Sequence, residues 1–458
     1  MIALLSLQEA YIRAGFGERE YHNTTNLNAV GALVLTGVVL AAVSLKRRHA
    51  LLPLLLLSSA VPTGQRVAIL TLDFNLIRLA LLAYAARVLV RGEYRGFRTR
   101  RCDQLVLAWL STRMVAYVAL HASTGAFIFQ AGQLYDFLGL YFVARLYLRT
   151  QADVLRAWRW FAMLSLPVAA LFLVEQSSGR NLFSALGGVP EFTNIREGRL
   201  RCQGPYEHPI LAGAYWAMLV PGFLGMARST SRAIKRAGRV GLGCALIVII
   251  ACSSSTPLIG VAAGLGLAAC FTARRHAREA LLAFGGLLVL VHFARERPVW
   301  QLIAEVGVVG GSTATYRYRL IDAFIRNWSE WFLIGTKGTA HWGRFLYDLT
   351  NQYVVEGVRG GILTLILFVW TLSSSLRRSW SMSLSRGVQR AQRLVTWHTA
   401  AALGGAAVMF LGISITHSNQ TVLVLMFLIA ATQAGRAGAG RPKTAAPRAG
   451  ASDAAPQA

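Results

Sequence analysis

Residues 201–227 read RCQGPYEHPILAGAYWAMLVPGFLGMA, in which a polar stretch passes directly into 18 residues that carry no charge. At a rise of about 1.5 Å per residue, a helix of this length would cross most of a hydrocarbon core about 30 Å thick. Pro209 stands where the apolar run begins, and proline is favoured in the first turn of a helix. The stretch therefore predicts a polar loop that leads into a membrane-spanning helix.

Similar apolar runs recur along almost the whole chain. Hydrophobic residues make up 55% of the 458 residues and charged residues 15%, against roughly 25% charged in soluble proteins. We interpret the chain as an integral membrane protein with spans at 27–45, 67–90, 104–121, 134–148, 160–175, 210–227, 238–252, 258–272, 280–293, 360–372, 396–415 and 421–433. A shorter run at 51–61 would add a thirteenth. Because the runs are continuously apolar, they predict an all-α fold, a polytopic transmembrane helical bundle of 12 to 13 spans.

The formal net charge of +27 is distributed as expected for a membrane protein and does not indicate nucleic-acid binding. The basic clusters occupy every second short loop, at 46–48, 91–101, 149–159, 228–239, 274–278 and 377–393, as the positive-inside rule requires of cytoplasmic loops. This alternation places two long polar loops, 176–208 and 295–357, on the outer side of a membrane domain that spans 27–433.

With 51–61 as a genuine span, the two ends of the chain are predicted to lie on opposite sides of the membrane. Residues 1–26 lack a basic cluster followed by an apolar core, so we interpret them as an N-terminal outer segment and not as a signal peptide. The segment 434–458, rich in Ala, Gly, Pro and Arg, predicts a disordered cytoplasmic tail. The five cysteines are scattered and suggest neither a disulfide framework nor a metal site.

In the first polar loop, 176–208, basic and acidic residues collect just before a helix begins. Glu207 and His208 would lie at the positive end of the helix dipole, close to Arg199 and Arg201, and this arrangement suits a phosphate. The alternative is that these arginines only hydrate the loop.

In the second polar loop, 295–357, the apolar residues between 316 and 332 follow helical spacing and predict an amphipathic helix at the membrane interface. Its opposite stripe carries Arg319, Asp322, Arg326 and Glu330, which we expect to be solvated and mutually paired. Arg317 falls on the apolar edge, where a lone charge requires a partner such as an anionic lipid head group.

Four ionisable residues inside predicted spans need partners as well. We expect Asp73, Arg78, Arg113 and Asp136 to pair with one another in the bundle, since an unpaired charge in hydrocarbon is costly. The alternative is a path for protons or substrate.

The order of motifs resembles the O-antigen ligase and Wzy polymerase superfamily. The first loop has an arginine, a glycine and an aromatic residue before His208-Pro209, and the second has an arginine-bearing helix. Gly335-Thr336-Lys337-Gly338, then Asn351-Gln352-Tyr353 and paired glycines precede the next span. The resemblance covers about 27–433, but its specific part is confined to the two loops.

The resemblance implies transfer of a glycan from undecaprenyl pyrophosphate to a sugar hydroxyl, at the periplasmic face of the bacterial inner membrane. It implies no metal and no cofactor, and as partners the lipid-linked oligosaccharide, membrane lipids and a chain-length regulator protein. Carried over by position, Arg201 and either Arg317 or Arg319 would hold the pyrophosphate. The implied substrate-binding residues are Arg199, Glu207, His208, Asn351 and Tyr353.

One departure from the family's pattern concerns the catalytic base. Many members have a histidine beside the Asn-x-Tyr segment, where this chain has Asp348, and we expect that carboxylate to take over as general base. His341 ranks second and His208 is a further rival. The alternative is that Asp348 only caps the start of a helix.

Three functions stay open on the sequence. We favour a polymerase of O-antigen or exopolysaccharide repeat units, because the Asp-x-x-Asn-x-Tyr form looks less like the histidine-bearing ligases. A ligase that transfers the glycan onto lipid A core or protein would need the same donor site. A flippase that moves the lipid-linked sugar without chemistry is the third, but there is no clear internal repeat of the kind many transporters show.

Overall fold

The computed structural model describes residues 25–69, 72–305, 311–385, 390–415 and 417–434. The predictions for the N-terminal segment up to residue 24 and for the tail from residue 435 lie outside the described residues. Helix takes up 74% of the structure, and the predicted all-α class is confirmed.

Each predicted span overlaps a helix. The helices are α1 Ala29–Ser44, α2 Leu52–Ala60, α3 Leu76–Val90, α4 Arg101–His121, α5 Thr124–Tyr147, α6 Gln151–Ser178, α7 Pro209–Ala227, α8 Arg232–Ala251, α9 Ser255–Ala269, α10 Ala277–Ala294, α11 Leu302–Glu305, α12 Gly311–Arg326, α13 Trp328–Trp331, α14 Gln352–Leu384, α15 Arg390–Met409 and α16 His417–Ala434. Two small antiparallel hairpins join them, β1 Arg66–Ile69 with β2 Leu72–Asn75 and β3 Asn194–Arg196 with β4 Arg199–Arg201.

Four of the described helical segments are long and apolar enough to cross a membrane: Gln151–Ser178, Pro209–Ala227, Arg274–Ala294 and Gln352–Leu384. Of these, α7 is the most enclosed and packs against α8, α9 and α15. Helix α10 is the opposite case, since none of its residues is buried and apolar side chains such as Leu290 and Phe293 are exposed. An apolar surface of this kind is stable in contact with lipid.

The predicted span at 67–90 is wrong in its first third. Residues 66–69 and 72–75 pair as strands β1 and β2, and α3 begins only at Leu76. The side chain of Asn75 caps α3 by accepting a hydrogen bond of 2.8 Å from the Arg78 amide. Mean hydropathy overlooks this boundary because it averages the polar cap with the apolar residues on either side.

The amphipathic helix in the second polar loop is present, but it is interrupted. Helix α12 ends at Arg326, and α13 starts after a break at Asn327. The ring of Trp331 folds back and stacks on Phe324 at 3.9 Å between centroids. The predicted stripe of paired charges is confirmed for Asp322 and Arg326, which lie 2.8 Å apart.

Helix α14 begins at Gln352, eight residues before the span predicted from Gly360, and it kinks at Gly361. Gly361 has φ +73°, and a Cβ there would lie 2.3 Å from the Leu333 carbonyl oxygen. The Ile362 amide donates to the Phe332 carbonyl at 2.8 Å. The second polar loop is therefore docked onto the kink, which only glycine permits.

The ionisable residues in the predicted spans are paired, though not all with each other. Arg78 and Asp136 form the expected ion pair, at 2.7 Å. The charge of Asp73 acts on Arg78 as expected, but Asp73 lies on β2 and has a second partner, Arg66, at 3.7 Å. The expected partners are wrong for Arg113, whose Nη1 lies 3.2 Å from the carboxylate of Glu356 on α14.

Candidate functional site

The first polar loop is organised by a buried carboxylate at the end of α6. Glu175 is fully buried and accepts hydrogen bonds of 3.0 Å from the amides of Gln203 and Gly204 and of 3.1 Å from the Thr193 hydroxyl. Three donors on one carboxylate fix the chain directly after Arg201. The loop is thus a rigid element and not a loose connector.

The end of this loop forms the start of α7 as the sequence predicts. Pro209 is the first helical residue and His208 is the N-cap, with Nδ1 accepting a hydrogen bond of 3.1 Å from the Ile210 amide. Gly204, with φ +56°, makes the preceding turn, and a Cβ there would lie 2.2 Å from the ring of Phe172. The predicted helix start is confirmed.

Arg201 is a buried cation that forms no ion pair with any residue that the structure describes. Only 8% of the residue is exposed, and its Nε has no hydrogen-bond partner. Burial and then the charge of Arg196 lower the pKa of Arg201. A buried, unneutralised guanidinium is unfavourable unless an anion joins it. Arg199, by contrast, is exposed on the hairpin.

The backbone places Arg201 beside the turn between α8 and α9. The Cys202 amide donates to the Ala251 carbonyl at 3.0 Å, and Arg201 lies within electrostatic range of Cys252. This turn, residues 252–256, reads CSSST and is called the α8–α9 turn below. Ser253 adopts φ +44°, which is strained for a residue other than glycine.

Arg317 approaches the same turn from the second polar loop. It is 9% exposed on the face of α12 that also buries Ala314 and Leu320, so its predicted place on the apolar edge is confirmed. Its Nη2 donates to the Thr256 hydroxyl, whereas its Nε has no partner. Burial alone lowers the pKa of Arg317. Arg319 is exposed, so Arg317 is the arginine that the structure brings to the turn.

The two buried arginines therefore meet opposite ends of one short segment, Arg201 at Cys252 and Arg317 at Thr256. An anion that used both would have to extend along the α8–α9 turn.

Asp348 lies beside the helix that carries Arg317. The Tyr316 hydroxyl donates to the backbone carbonyls of Asp348 and, at 3.2 Å, of Phe345. The Asp348 residue is exposed at the surface, yet partial desolvation of its carboxyl raises the pKa from its ordinary value. With this raised pKa, the Asp348 carboxylate is a stronger proton acceptor than an ordinary surface aspartate.

The rivals of Asp348 have other partners. His341 Nε2 lies 2.7 Å from the carboxylate of Glu330, which also accepts from the Trp342 indole at 2.9 Å. Burial, followed by the charges of Arg201 and Arg196, lowers the pKa of His208 to about 4. Because its Nδ1 accepts from Ile210, the neutral ring carries its hydrogen on Nε2. His208 is thus placed as a donor and not as a base.

Two predicted substrate-binding residues, Asn351 and Tyr353, make hydrogen bonds that hold the start of α14 in place. Asn351 caps α14 by accepting from the amides of Tyr353 and Val354 at 2.9 and 3.2 Å, and it donates to the Leu411 carbonyl at 3.2 Å. The Tyr353 hydroxyl donates to the Ala407 carbonyl at 2.9 Å. The capping role considered for Asp348 therefore belongs to Asn351.

Glu207 also has a partner, since its carboxylate accepts a hydrogen bond of 2.9 Å from the Thr63 hydroxyl. It nonetheless remains exposed next to His208. Within the described ranges, no group of three or more His, Cys, Asp or Glu side chains is placed to hold a metal ion.

Sequence reasoning missed Thr256 and Glu175. A signal for Thr256 was present, because serines and a threonine directly before Pro257 mark the start of a helix after an apolar run. Glu175 gave no comparable signal, since it stands at the end of a predicted span where an acidic residue is ordinary.

No protein-family model matches this chain, and no curated protein matches it. What the site can do is therefore argued from its own geometry.

Proposed function

We propose that this protein is a glycosyltransferase that moves a glycan from undecaprenyl pyrophosphate to a sugar hydroxyl, as a polymerase of O-antigen or exopolysaccharide repeat units. The observation that carries the proposal is the pair of buried arginines, Arg201 and Arg317, which approach the α8–α9 turn without a carboxylate partner in the described chain. Buried cations of this kind indicate an anionic ligand.

A diphosphate on a lipid fits this arrangement. Arginine donates paired hydrogen bonds to phosphate oxygens and stays charged at every physiological pH. The site belongs to a protein with apolar helices, so a ligand that has both an anionic head and a lipid tail can occupy it. The motif order that resembles the O-antigen ligase and Wzy polymerase superfamily agrees with the same ligand class.

In the proposed reaction the acceptor hydroxyl oxygen forms a bond to the anomeric carbon, and the bond from that carbon to the pyrophosphate oxygen breaks. The hydroxyl proton passes to the carboxylate of Asp348, and the lipid pyrophosphate leaves with the bonding electron pair. Arg201 and Arg317 stabilise the negative charge that develops on the leaving group. The Nε2 hydrogen of His208 can donate to the same phosphate.

We further propose that the chain crosses the bacterial inner membrane 12 to 13 times. Every predicted run contains a helix, and the uncovered apolar surface of α10 favours lipid on all its sides. The basic clusters then lie in the cytoplasm and both polar loops on the outer side. Donor lipid and acceptor sugar would meet there.

Purified protein in liposomes with an undecaprenyl-pyrophosphate oligosaccharide is expected to form longer lipid-linked glycans, with EDTA present throughout. The measurement is the glycan length distribution by mass spectrometry, together with the leaflet position of the substrate. If the substrate only changes leaflet, the protein is a flippase and the proposal fails. If glycan appears only on an added lipid A core or protein acceptor, the protein is a ligase.

The Asp348→Asn variant is expected to transfer about 10²-fold more slowly, because a positioned general base typically contributes that much or more. Since partial desolvation raises the pKa of Asp348, wild-type transfer should decline as the pH falls through that pKa, when the carboxylate becomes protonated. Asp348→Glu is the matched control that keeps a carboxylate. Normal rates in Asp348→Asn combined with a loss in His341→Ala would move the role to His341.

A further inference from the structure

The first turn of α9 has the features of an anion-binding site. Ser254 is the N-cap residue, but its side chain makes no capping hydrogen bond to the turn. Ser254 and Thr256 are nevertheless buried, at 5% and 4% exposure. The amides of a helix's first turn have no partner within the helix, and they carry the positive end of its dipole. Helix α9 is 15 residues long, so that dipole is developed.

A second observation makes this helix start more than an ordinary N-terminus. Arg317, itself nine-tenths buried, directs its guanidinium to this turn and bonds to Thr256, while its Nε stays unpartnered. Arg201, equally buried and with a free Nε, lies at the other end of the turn. Two cations and a helix N-terminus, with no ion-pairing carboxylate in the part of the chain that the structure describes, all favour an anionic ligand.

We infer that the first turn of α9, with the Thr256 hydroxyl, forms a diphosphate-binding subsite that bridges Arg201 and Arg317. The inference rests on the proposed function for the identity of the lipid-linked donor, although the anion site itself does not require glycan transfer. It assigns part of the binding to the backbone and one hydroxyl of α9. Binding by the two arginines alone would give the first turn of α9 no role.

The hydrogen-bond direction at Thr256 supports the assignment. Its oxygen accepts from Arg317, so its own O–H remains available as a donor. A threonine in this position both orients the guanidinium and offers a hydrogen to a phosphate oxygen. Valine, which has the same shape without the hydroxyl, would remove both contacts.

The test is binding of inorganic pyrophosphate, and separately of undecaprenyl pyrophosphate, to full-length protein in nanodiscs by calorimetry. Thr256→Val is expected to weaken binding of either probe by about tenfold or more, the usual effect of losing a hydrogen bond to a charged group. Thr256→Ser should retain most of the affinity. Thr399→Val is the matched control, because that buried hydroxyl only donates to Val395 on its own helix.

Hydrogen–deuterium exchange on the wild type provides a measurement that needs no variant. The form of pyrophosphate that binds, inorganic or lipid-linked, should slow exchange of the amides at 254–256. Unchanged exchange there, or a Thr256→Val affinity equal to that of Thr399→Val, overturns the inference even if glycan transfer is found. Slowed exchange and weakened binding without any transfer would keep the subsite and reject the proposed enzyme. Binding of the lipid alone would identify the lipid head group as the source of the diphosphate.

Discussion

Replacing Arg201 by alanine should reduce glycan transfer by about 10²–10³-fold, the usual cost of removing one group that stabilises the charge of a transition state. The same substitution should leave the folded protein at least as stable as the wild type. Arg201 is buried beside Arg196 with no counter-ion in the described chain, so its removal relieves an unfavourable charge. The two effects have opposite signs, which is typical of functional residues.

The measurements are the transfer rate with the lipid-linked donor and the unfolding midpoint in detergent. Arg180→Ala is the matched control, since this arginine lies in the same first polar loop but its side chain is 61% exposed. It should change both values little. Arg201→Lys should recover only part of the activity, because an ammonium cannot form the paired contacts of a guanidinium. A large loss of stability in Arg201→Ala with unchanged specific activity would show that Arg201 serves the fold.

Much of the fold could be predicted because it depends on local properties of the chain. The length and continuity of the apolar runs predict helices. The start of α7 is predicted by Pro209 itself, because proline is favoured in the first turn of a helix. Helical spacing even placed Arg317 on the buried face of α12 and Arg319 on the exposed one. These are relations between neighbours in sequence, which a single sequence contains.

What could not be predicted depends on contacts between distant segments. Arg317 and Thr256 are 61 residues apart, and nothing in either stretch specifies the other. The same holds for the partner of Arg113, which sequence reasoning sought among Asp73, Arg78 and Asp136. Its partner, Glu356, is 243 residues away and stood in what was taken for a loop. Packing of the bundle decides these pairs.

That buried pair carries the second large prediction. The carboxylate of Glu356 is fully buried and accepts hydrogen bonds from three donors: Arg113 Nη1 at 3.2 Å, the Trp109 indole at 2.8 Å and the side-chain Nε2 of Gln352 at 2.6 Å. Glu356→Ala should lower the free energy of unfolding by about 3–5 kcal/mol, because it leaves Arg113 buried without a counter-ion. The measurement is the unfolding transition in detergent.

The double variant Arg113→Met/Glu356→Leu separates the charge from the packing. Replacing both partners by apolar residues of similar volume is often neutral, so most of the lost stability should return. If the double variant is as unstable as Glu356→Ala, the contacts of Glu356 with Trp109 and Gln352 matter more than the ion pair.

The same network reaches the candidate site, so stability and activity should separate in the double variant. The backbone amide of Gln352 donates to the carbonyls of Phe410 and Ile413 at 2.9 and 3.1 Å. The side-chain oxygen of Gln352 accepts a hydrogen bond of 2.7 Å from the Ile415 amide. Between them, Gly412 packs against Arg317, since a Cβ there would lie 2.8 Å from Nε. Without Glu356, Gln352 loses a fixed position, and the surface that supports Arg317 loosens. We therefore expect the double variant to regain stability but to bind pyrophosphate more weakly than the wild type does. Binding equal to that of the wild type would show that Glu356 stabilises the fold and does not support the site.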